Sequence, residues 1–277
     1  MELNFLEWNL HAQGGRDYCI PGFVPKYLNQ INQLNQVDLF VLVEFKNANG
    51  WISFTEKLES EFDLYCSPYA TQGYNQICIG VRKTAFGEPT AIITADNMCN
   101  GNIPEYLRVD IPLQGKNLQG KNLQGENLSI IGTRIKTQSR TKNEQYNWLK
   151  KQLSGIKRYI CLGYFNCTST VLSQTFDGEA VVYGPRVLNN NHSYVFENER
   201  CLGLDWVLIK RKEVIKGKEV NVVKKIYDDS GVETYATYDW SFVNQENGYG
   251  DKTKLDYLNI RGLPDHAILK GTIELEL

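Results

Sequence analysis

The 277-residue sequence predicts an α/β (α+β) fold in which two β-sheets pack face to face with helices outside them. Three observations carry this expectation. Most of the chain reads as short runs rich in β-branched and aromatic residues, separated by turns. One run, Val37 to Phe45 (VDLFVLVEF), is almost continuously apolar, which suits a strand buried on both faces. Two segments carry helical periodicity, one early and one in mid-chain, each between strands.

Taken in order, Leu3 to Trp8 is a short apolar-rich strand closed by the polar turn His11 to Gly15. Pro25 to Leu34 reads as a helix, with Tyr27, Leu28, Ile31 and Leu34 on one stripe and Pro21 and Pro25 marking its approach and start. Strands are expected at Val37 to Phe45, Phe62 to Cys66, Gln76 to Val81, Thr90 to Thr94, Leu107 to Ile111 and Leu128 to Thr133. Between the last two, Leu113 to Leu128 repeats a pentamer three times (LQGKN-LQGKN-LQGEN-L). A pentapeptide coil wants a small apolar residue two before the central Leu, where this chain has Lys or Glu. A low-complexity loop is therefore expected at 113–128.

Ser139 to Leu153 is the second helix, with Tyr146, Leu149 and Leu153 on one face. Ser139 or Thr141 is its expected cap, and Gly155 lies just past its end. Strands follow at Tyr159 to Leu162, Val181 to Tyr183, Ser193 to Phe196, Leu204 to Ile209, Glu219 to Ile226 and His266 to Leu275. No Pro/Gly/Ser linker divides the chain, so residues 1–277 are expected to form a single domain.

Composition removes several classes of function. Hydrophobic residues make up 42% and charged residues 22%, enough apolar material for a core and too much for a disordered chain. Thirty basic against 32 acidic residues leave a net charge of −2, so the chain is not a generic polyanion binder, although a local basic groove remains open. No apolar run is long enough to span a membrane, and Met1 to Leu10 lacks the basic start and apolar stretch of a secretory signal. The seven cysteines are scattered without a CxxC pair. Zinc is not indicated, and a cytoplasmic protein with free thiols is expected.

The chemistry is expected at the ends of the apolar runs. Asn9 ends the first strand, Glu44 closes VLVE, and Gly163-Tyr164-Phe165-Asn166 follows the strand from Tyr159. Asp205 interrupts LGLDWVLI, and Asp265-His266 precede the final strand. A charge in such a place is costly unless it is paired or on a metal. Taken singly each is a strand-end residue; together they are strand ends that would converge on one cleft.

This ordered set, WN (Asn9), LVE (Glu44), GTR (Thr133), LGYFN (Asn166), LDWVLI (Asp205) and PDH (Asp265, His266), resembles the endonuclease/exonuclease/phosphatase superfamily. That family includes pancreatic-type deoxyribonuclease, abasic-site endonucleases, inositol-polyphosphate phosphatases and sphingomyelinases. The resemblance runs from Asn9 to His266 and implies a four-layer α/β/β/α sandwich. It also implies Mg²⁺- or Mn²⁺-dependent cleavage of phosphate esters; the family alone does not fix the substrate, and nucleic acid, DNA or RNA, is the foremost expectation. By the resemblance, Glu44, Asn9 and Asp265 would hold the metal, and His266 would be the general acid/base oriented by Asp205. Asn166 would donate to a phosphate oxygen.

Two positions depart from the family pattern. Where the family writes GDxN this chain has Tyr164, a neutral and bulky phenol with a pKa of about 10 in place of a carboxylate. That leaves three readings: a weakened or dead site, an introduced substitution one base away from an Asp codon, or a repurposed site in which Tyr164 contacts substrate. Where many members have a His after the Thr, this chain has Arg134, which can clamp a phosphate bidentately. His11 and Asn75 are further candidate substrate contacts, each weighed against a plain turn residue, and His192 reads as a loop residue. Lys210 to Lys225 reads as a charged hairpin, with a nucleic-acid groove as the alternative. Trp206 and Trp240 read as core residues, with base stacking as the alternative. The alternatives to a nuclease are a phosphomonoesterase or phospholipase of the same family, and a non-catalytic nucleic-acid or phosphate-binding protein. The oligomeric state is not readable.

Overall fold

In the computed structural model, residues 2–10, 34–45, 55–56, 58–67, 76–86, 91–94, 103–113, 126–136, 141–185, 192–195, 201–210, 212–215, 218–221, 223–227, 237–241 and 264–275 are described. Their strands fall into two mixed sheets. The first is built on Glu2–Asn9 (β1) and Leu39–Phe45 (β2), which pair in parallel. On one side Gln76–Arg82 (β4) and then Phe62–Cys66 (β3) continue it antiparallel. On the other side Ile268–Leu275 (β17) pairs antiparallel with β1, and Val223–Tyr227 (β15) and Thr237–Asp239 (β16) pair with β17.

The second sheet has the order β5, β6, β7, β8, β12, β9, formed by Ala91–Thr94, Glu105–Pro112, Asn127–Arg134, Tyr159–Tyr164, Asp205–Lys210 and Ala180–Tyr183 respectively. Its central pair, β7 and β8, is parallel, and the helix Lys142–Ser154 (α1) makes the crossover between them. Two short pairs stand apart: Tyr194–Val195 (β10) with Cys201–Leu202 (β11), and Lys212–Ile215 (β13) with Lys218–Asn221 (β14).

Strand alternation decides what each sheet buries. Ile130, Ile160, Leu162, Val207 and Ile209 join Val41, Val43, Ile77 and Ile79 in the core between the sheets. Their neighbours Ile131, Cys161 and Leu208 point the other way, onto Tyr146, Leu149 and Leu153 of α1 and onto Leu172 and Phe176. Each fully buried aliphatic side chain of this kind stabilises the fold by about 1.5–3 kcal/mol. The sheets approach closely at Gly132, where a Cβ would lie 2.4 Å from Ile77 Cγ2 and 2.9 Å from Val41 Cγ1. These layers are the α/β sandwich of two packed sheets that the sequence predicts. The expected helix Pro25 to Leu34 lies outside the described residues apart from Leu34, as do the turn His11 to Gly15 and repeat residues 114–125.

Several local expectations change. Ser169–Thr175 forms a short helix (α2) that a Ser/Thr-rich segment with few apolar residues did not announce. Glu219 to Ile226 is two strands rather than one, β14 closing a hairpin with β13 and β15 joining the first sheet. The basic run Lys210 to Lys225 thus contains the expected hairpin. Thr141 occupies the cap position of α1 without making a side-chain capping bond; its Oγ1 instead accepts Gln145 Nε2 at 3.4 Å. Cys78, Cys161 and Cys167 are buried and Cys66 partly so, all as free thiols. No helix among the described residues is long and apolar enough to cross a membrane.

Candidate active site

Topology brings the strand-end residues together. β1 and β2 run parallel, so Asn9 and Glu44 reach the same edge, Asn9 lying opposite Val43. β7 and β8 run parallel, so Arg134 lies opposite Tyr164. Their antiparallel neighbours begin where these strands end: Asp205 opens β12 opposite Tyr164, and Glu105 opens β6 opposite Arg134. His266 sits just before β17, the antiparallel neighbour of β1. One edge of the sandwich therefore collects carboxyl ends of parallel strands, the usual place for ligands in open α/β sheets.

Three local backbone features aim the side chains. Glu44 has φ 54° and Asn166 φ 53°, left-handed conformations that cost a non-glycine residue about 1–2 kcal/mol. At Glu44 the turn coincides with a register shift between β2 and β4, which swings the carboxylate out of the strand alternation. Gly163 has φ 148°, and a Cβ there would stand 1.9 Å from Thr133 O, so β7 and β8 can pair at this point only with glycine.

His266 is the hub. Its Nδ1 donates to Asp205 Oδ2 at 2.8 Å, and both residues are buried. Trp8 Nε1 donates to His266 O at 2.9 Å, and the rings of Tyr164 and Tyr194 lie 4.9 and 4.7 Å from the imidazole. Nε2 faces the metal-ligand candidates: Asn9 Nδ2 is 3.4 Å away and Asp265 Oδ1 3.9 Å. Asn9 Nδ2 also donates to Glu44 Oε1 at 3.4 Å. Burial works to lower the His266 pKa, but the Asp205 charge and hydrogen bond, with Asp265 and Glu44, outweigh it and raise the value above 6.5.

Arg134 is the cation of the site. Its Nε donates to Glu44 Oε1 at 2.7 Å and its Nη1 to Glu105 Oε1 at 3.0 Å. Burial opposes its charge, and the two carboxylates more than restore it. Tyr164 is buried, and burial followed by the Asp205 charge pushes its phenol well above the ordinary tyrosine value. It stays neutral. Among the described residues Asn166 Nδ2 is buried with no hydrogen-bond partner.

No family model and no curated protein sequence matches the chain. Solved structures do. TDP2 from D. rerio, complexed with single strand DNA product, superposes with a TM-score of 0.66 at 10% identity, covering 99% of each chain. An endonuclease/exonuclease/phosphatase from Bacteroides vulgatus gives 0.60 at 12% identity, covering 100% of each chain. ANGEL2, a 2',3'-cyclic phosphatase in complex with adenosine-2',3'-vanadate, gives 0.63 at 11% identity, covering 100% of this chain and 96% of that one. The chain has the endonuclease/exonuclease/phosphatase fold.

That fold implies a divalent cation, and the donors present fit one. Among the described residues no three His, Cys, Asp or Glu side chains form a metal cluster, and the carboxamide of Asn9 would be the third donor beside Glu44 and Asp265. Glu44, Asp265 and Asn9 are hard oxygen donors around His266, and Mg²⁺ or Mn²⁺ needs only one or two carboxylates beside waters and substrate oxygens.

Of the expected site residues, Asn9, Glu44, Arg134, Tyr164, Asp205, Asp265 and His266 are linked by direct contacts, and Asn166 follows Tyr164 at the end of β8. His11 and Asn75 lie outside the described residues. Trp206 and Trp240 are core residues whose Nε1 atoms donate to Cys167 O and His192 O. His192 lies outside helix and strand, as expected of a loop residue, and is buried against Trp240. Sequence reasoning missed Glu105, Tyr194 and Glu7. Glu105 lay just ahead of the expected strand, and its role shows only when β6 is set in register with β7. Glu7 is fully buried inside a run read as apolar; burial and then the Asp205 charge raise its pKa well above 4.5.

Proposed function

We propose that this chain is a phosphoesterase acting on phosphodiester bonds of nucleic acid, with Mg²⁺ or Mn²⁺ and with a rate limited by Tyr164. The observation that carries the reading is the buried His266–Asp205 pair, whose Nε2 lies 3.4 Å from Asn9 Nδ2 and 3.9 Å from Asp265 Oδ1, with Asn9 in turn touching Glu44. The DNA product in the TDP2 structure and the adenosine vanadate in the ANGEL2 structure support nucleotide chemistry on this fold.

Glu44, Asn9 and Asp265 would hold the cation, which when bound polarises the phosphoryl group and steadies the leaving oxygen. His266 holds a proton at Nε2, since Asp205 fixes Nδ1–H and stabilises the imidazolium. As water attacks phosphorus and the ester P–O bond breaks, the Nε2 proton passes to the departing oxygen; one proton of the water stays on the new P–OH and the other leaves to solvent, from which Nε2 is reprotonated. Asn166 Nδ2 donates to a phosphate oxygen as its charge grows. Tyr164 cannot take a proton from the attacking water, because its phenol is neutral and buried.

The test is hydrolysis of bis(p-nitrophenyl) phosphate and of labelled single-stranded and duplex DNA and RNA, with Mn²⁺ and with chelator. Cleavage that needs the cation and vanishes in His266→Ala is expected. No metal-dependent cleavage of any of these would end the enzymatic reading. A second reading, phosphate-ester binding without hydrolysis, is favoured by the edge of the Tyr164 ring against His266, where the family motif has an acid.

A further inference from the structure

The Arg134–Glu44 pair joins the two sheets across the cleft. Arg134 ends β7 in the second sheet, while Glu44 belongs to β2 in the first. The same guanidinium holds Glu105 at 3.0 Å, and Glu105 is its directly opposed neighbour on β6. The two contacts differ in kind. The Glu105 contact is made within one sheet, between residues set opposite each other by the β6–β7 register. The Glu44 contact crosses the cleft to the same Oε1 that Asn9 touches, an atom expected to face the cation. Arg134 Nη2 makes no hydrogen bond among the described residues, so part of the fork remains for an incoming anion.

We propose that Arg134 is a built-in cation that neutralises Glu44 in the resting site, competes with the divalent ion for that carboxylate, and swings onto the substrate phosphate when a diester arrives, pivoting on Glu105. This rests on the cation site proposed above. A guanidinium and a divalent ion cannot share one carboxylate oxygen at contact distance without strong repulsion. A phosphodiester anion offers Arg134 an equivalent charge-assisted, bidentate partner. Substrate and cation therefore bind cooperatively: the phosphate draws the guanidinium off Glu44 and exposes the ligand. A site so built holds its cation weakly until substrate is present.

The experiment is calorimetric titration of Mn²⁺ into wild type, Arg134→Gln and Glu44→Gln, without and with dimethyl phosphate as the diester anion. The expected result is that Arg134→Gln binds Mn²⁺ about tenfold more tightly than wild type, within the usual range of coupled sites. Dimethyl phosphate tightens Mn²⁺ binding in wild type and not in Arg134→Gln, and Glu44→Gln removes binding. The dimethyl phosphate arm on wild type needs no variant, so it stands even if Arg134→Gln folds poorly. Equal Mn²⁺ affinity in wild type and Arg134→Gln, or indifference of wild type to dimethyl phosphate, overturns the competition and leaves the phosphoesterase reading intact. Absence of Mn²⁺ binding from wild type and from a folded Arg134→Gln, with and without dimethyl phosphate, overturns both.

Discussion

His266 Nδ1 donates to Asp205 Oδ2 at 2.8 Å, joining the segment just before β17 to β12 of the other sheet across 61 residues. The raised pKa of His266 means that the folded state prefers the imidazolium. Its stabilising contribution is then full below the unfolded value of about 6.5 and is lost as pH rises through the higher folded value. Asp205→Asn removes the largest attraction and leaves burial dominant. NMR titration of the imidazole should show a midpoint above 6.5 in wild type and a lower one in Asp205→Asn. A midpoint that does not move would rule out Asp205 as the cause.

Tyr164→Asp restores a carboxylate at a buried position beside Asp205 and Glu44. Hydrolysis of bis(p-nitrophenyl) phosphate with Mn²⁺ should rise about tenfold or more, as general-base assistance to water returns. The same change adds like charge and removes a packed ring, so the melting temperature should fall. A stable, folded Tyr164→Asp with no gain would favour the binding reading.

Gly163→Ala places a methyl group where Thr133 O already stands at 1.9 Å. The parallel pairing of β7 and β8 must then open at the point that aligns Arg134 with Tyr164. Urea unfolding should show a loss of at least about 2 kcal/mol from strain and clash together. A loss below measurement error would show that the close approach is not required.

Glu7 is buried with neither carboxylate oxygen hydrogen-bonded among the described residues, and its pKa is raised well above 4.5 by burial and Asp205. Ionisation is therefore disfavoured in the fold. The stability associated with its neutral form is present at low pH and lost as pH rises toward the folded pKa. Glu7→Gln cannot ionise, so its stability relative to wild type should increase between pH 5 and pH 8, measured by thermal melts across that range. Parallel pH profiles for the two proteins would count against this.

Periodicity in the chain was enough to predict two packed sheets with helices outside, because strands that bury one or both faces need that spacing of apolar residues. VDLFVLVEF predicts β2, and Tyr146, Leu149 and Leu153 predict the buried face of α1. Short Ser169–Thr175 escaped, since seven mostly polar residues carry no clear period. Motif residues at strand ends were legible because a charged or amide group beside an apolar run is unusual. Glu105 and Tyr194 were not, because each acts only through a partner that pairing supplies: Arg134 in register on β7, and His266 across an isolated bridge.

From the amino-acid order alone came the polar residues that stand at the ends of apolar runs, and Asn9, Arg134, Tyr164 and Asp205 do lie at strand ends. Tertiary structure alone decided how they are shared. Hydrogen-bonded register places Glu105 opposite Arg134, while packing of one sheet on the other brings Glu44 to the far side of the same guanidinium. That Glu44 meets Arg134 is set by the approach of chain segments 90 residues apart, and no local pattern encodes such a distance.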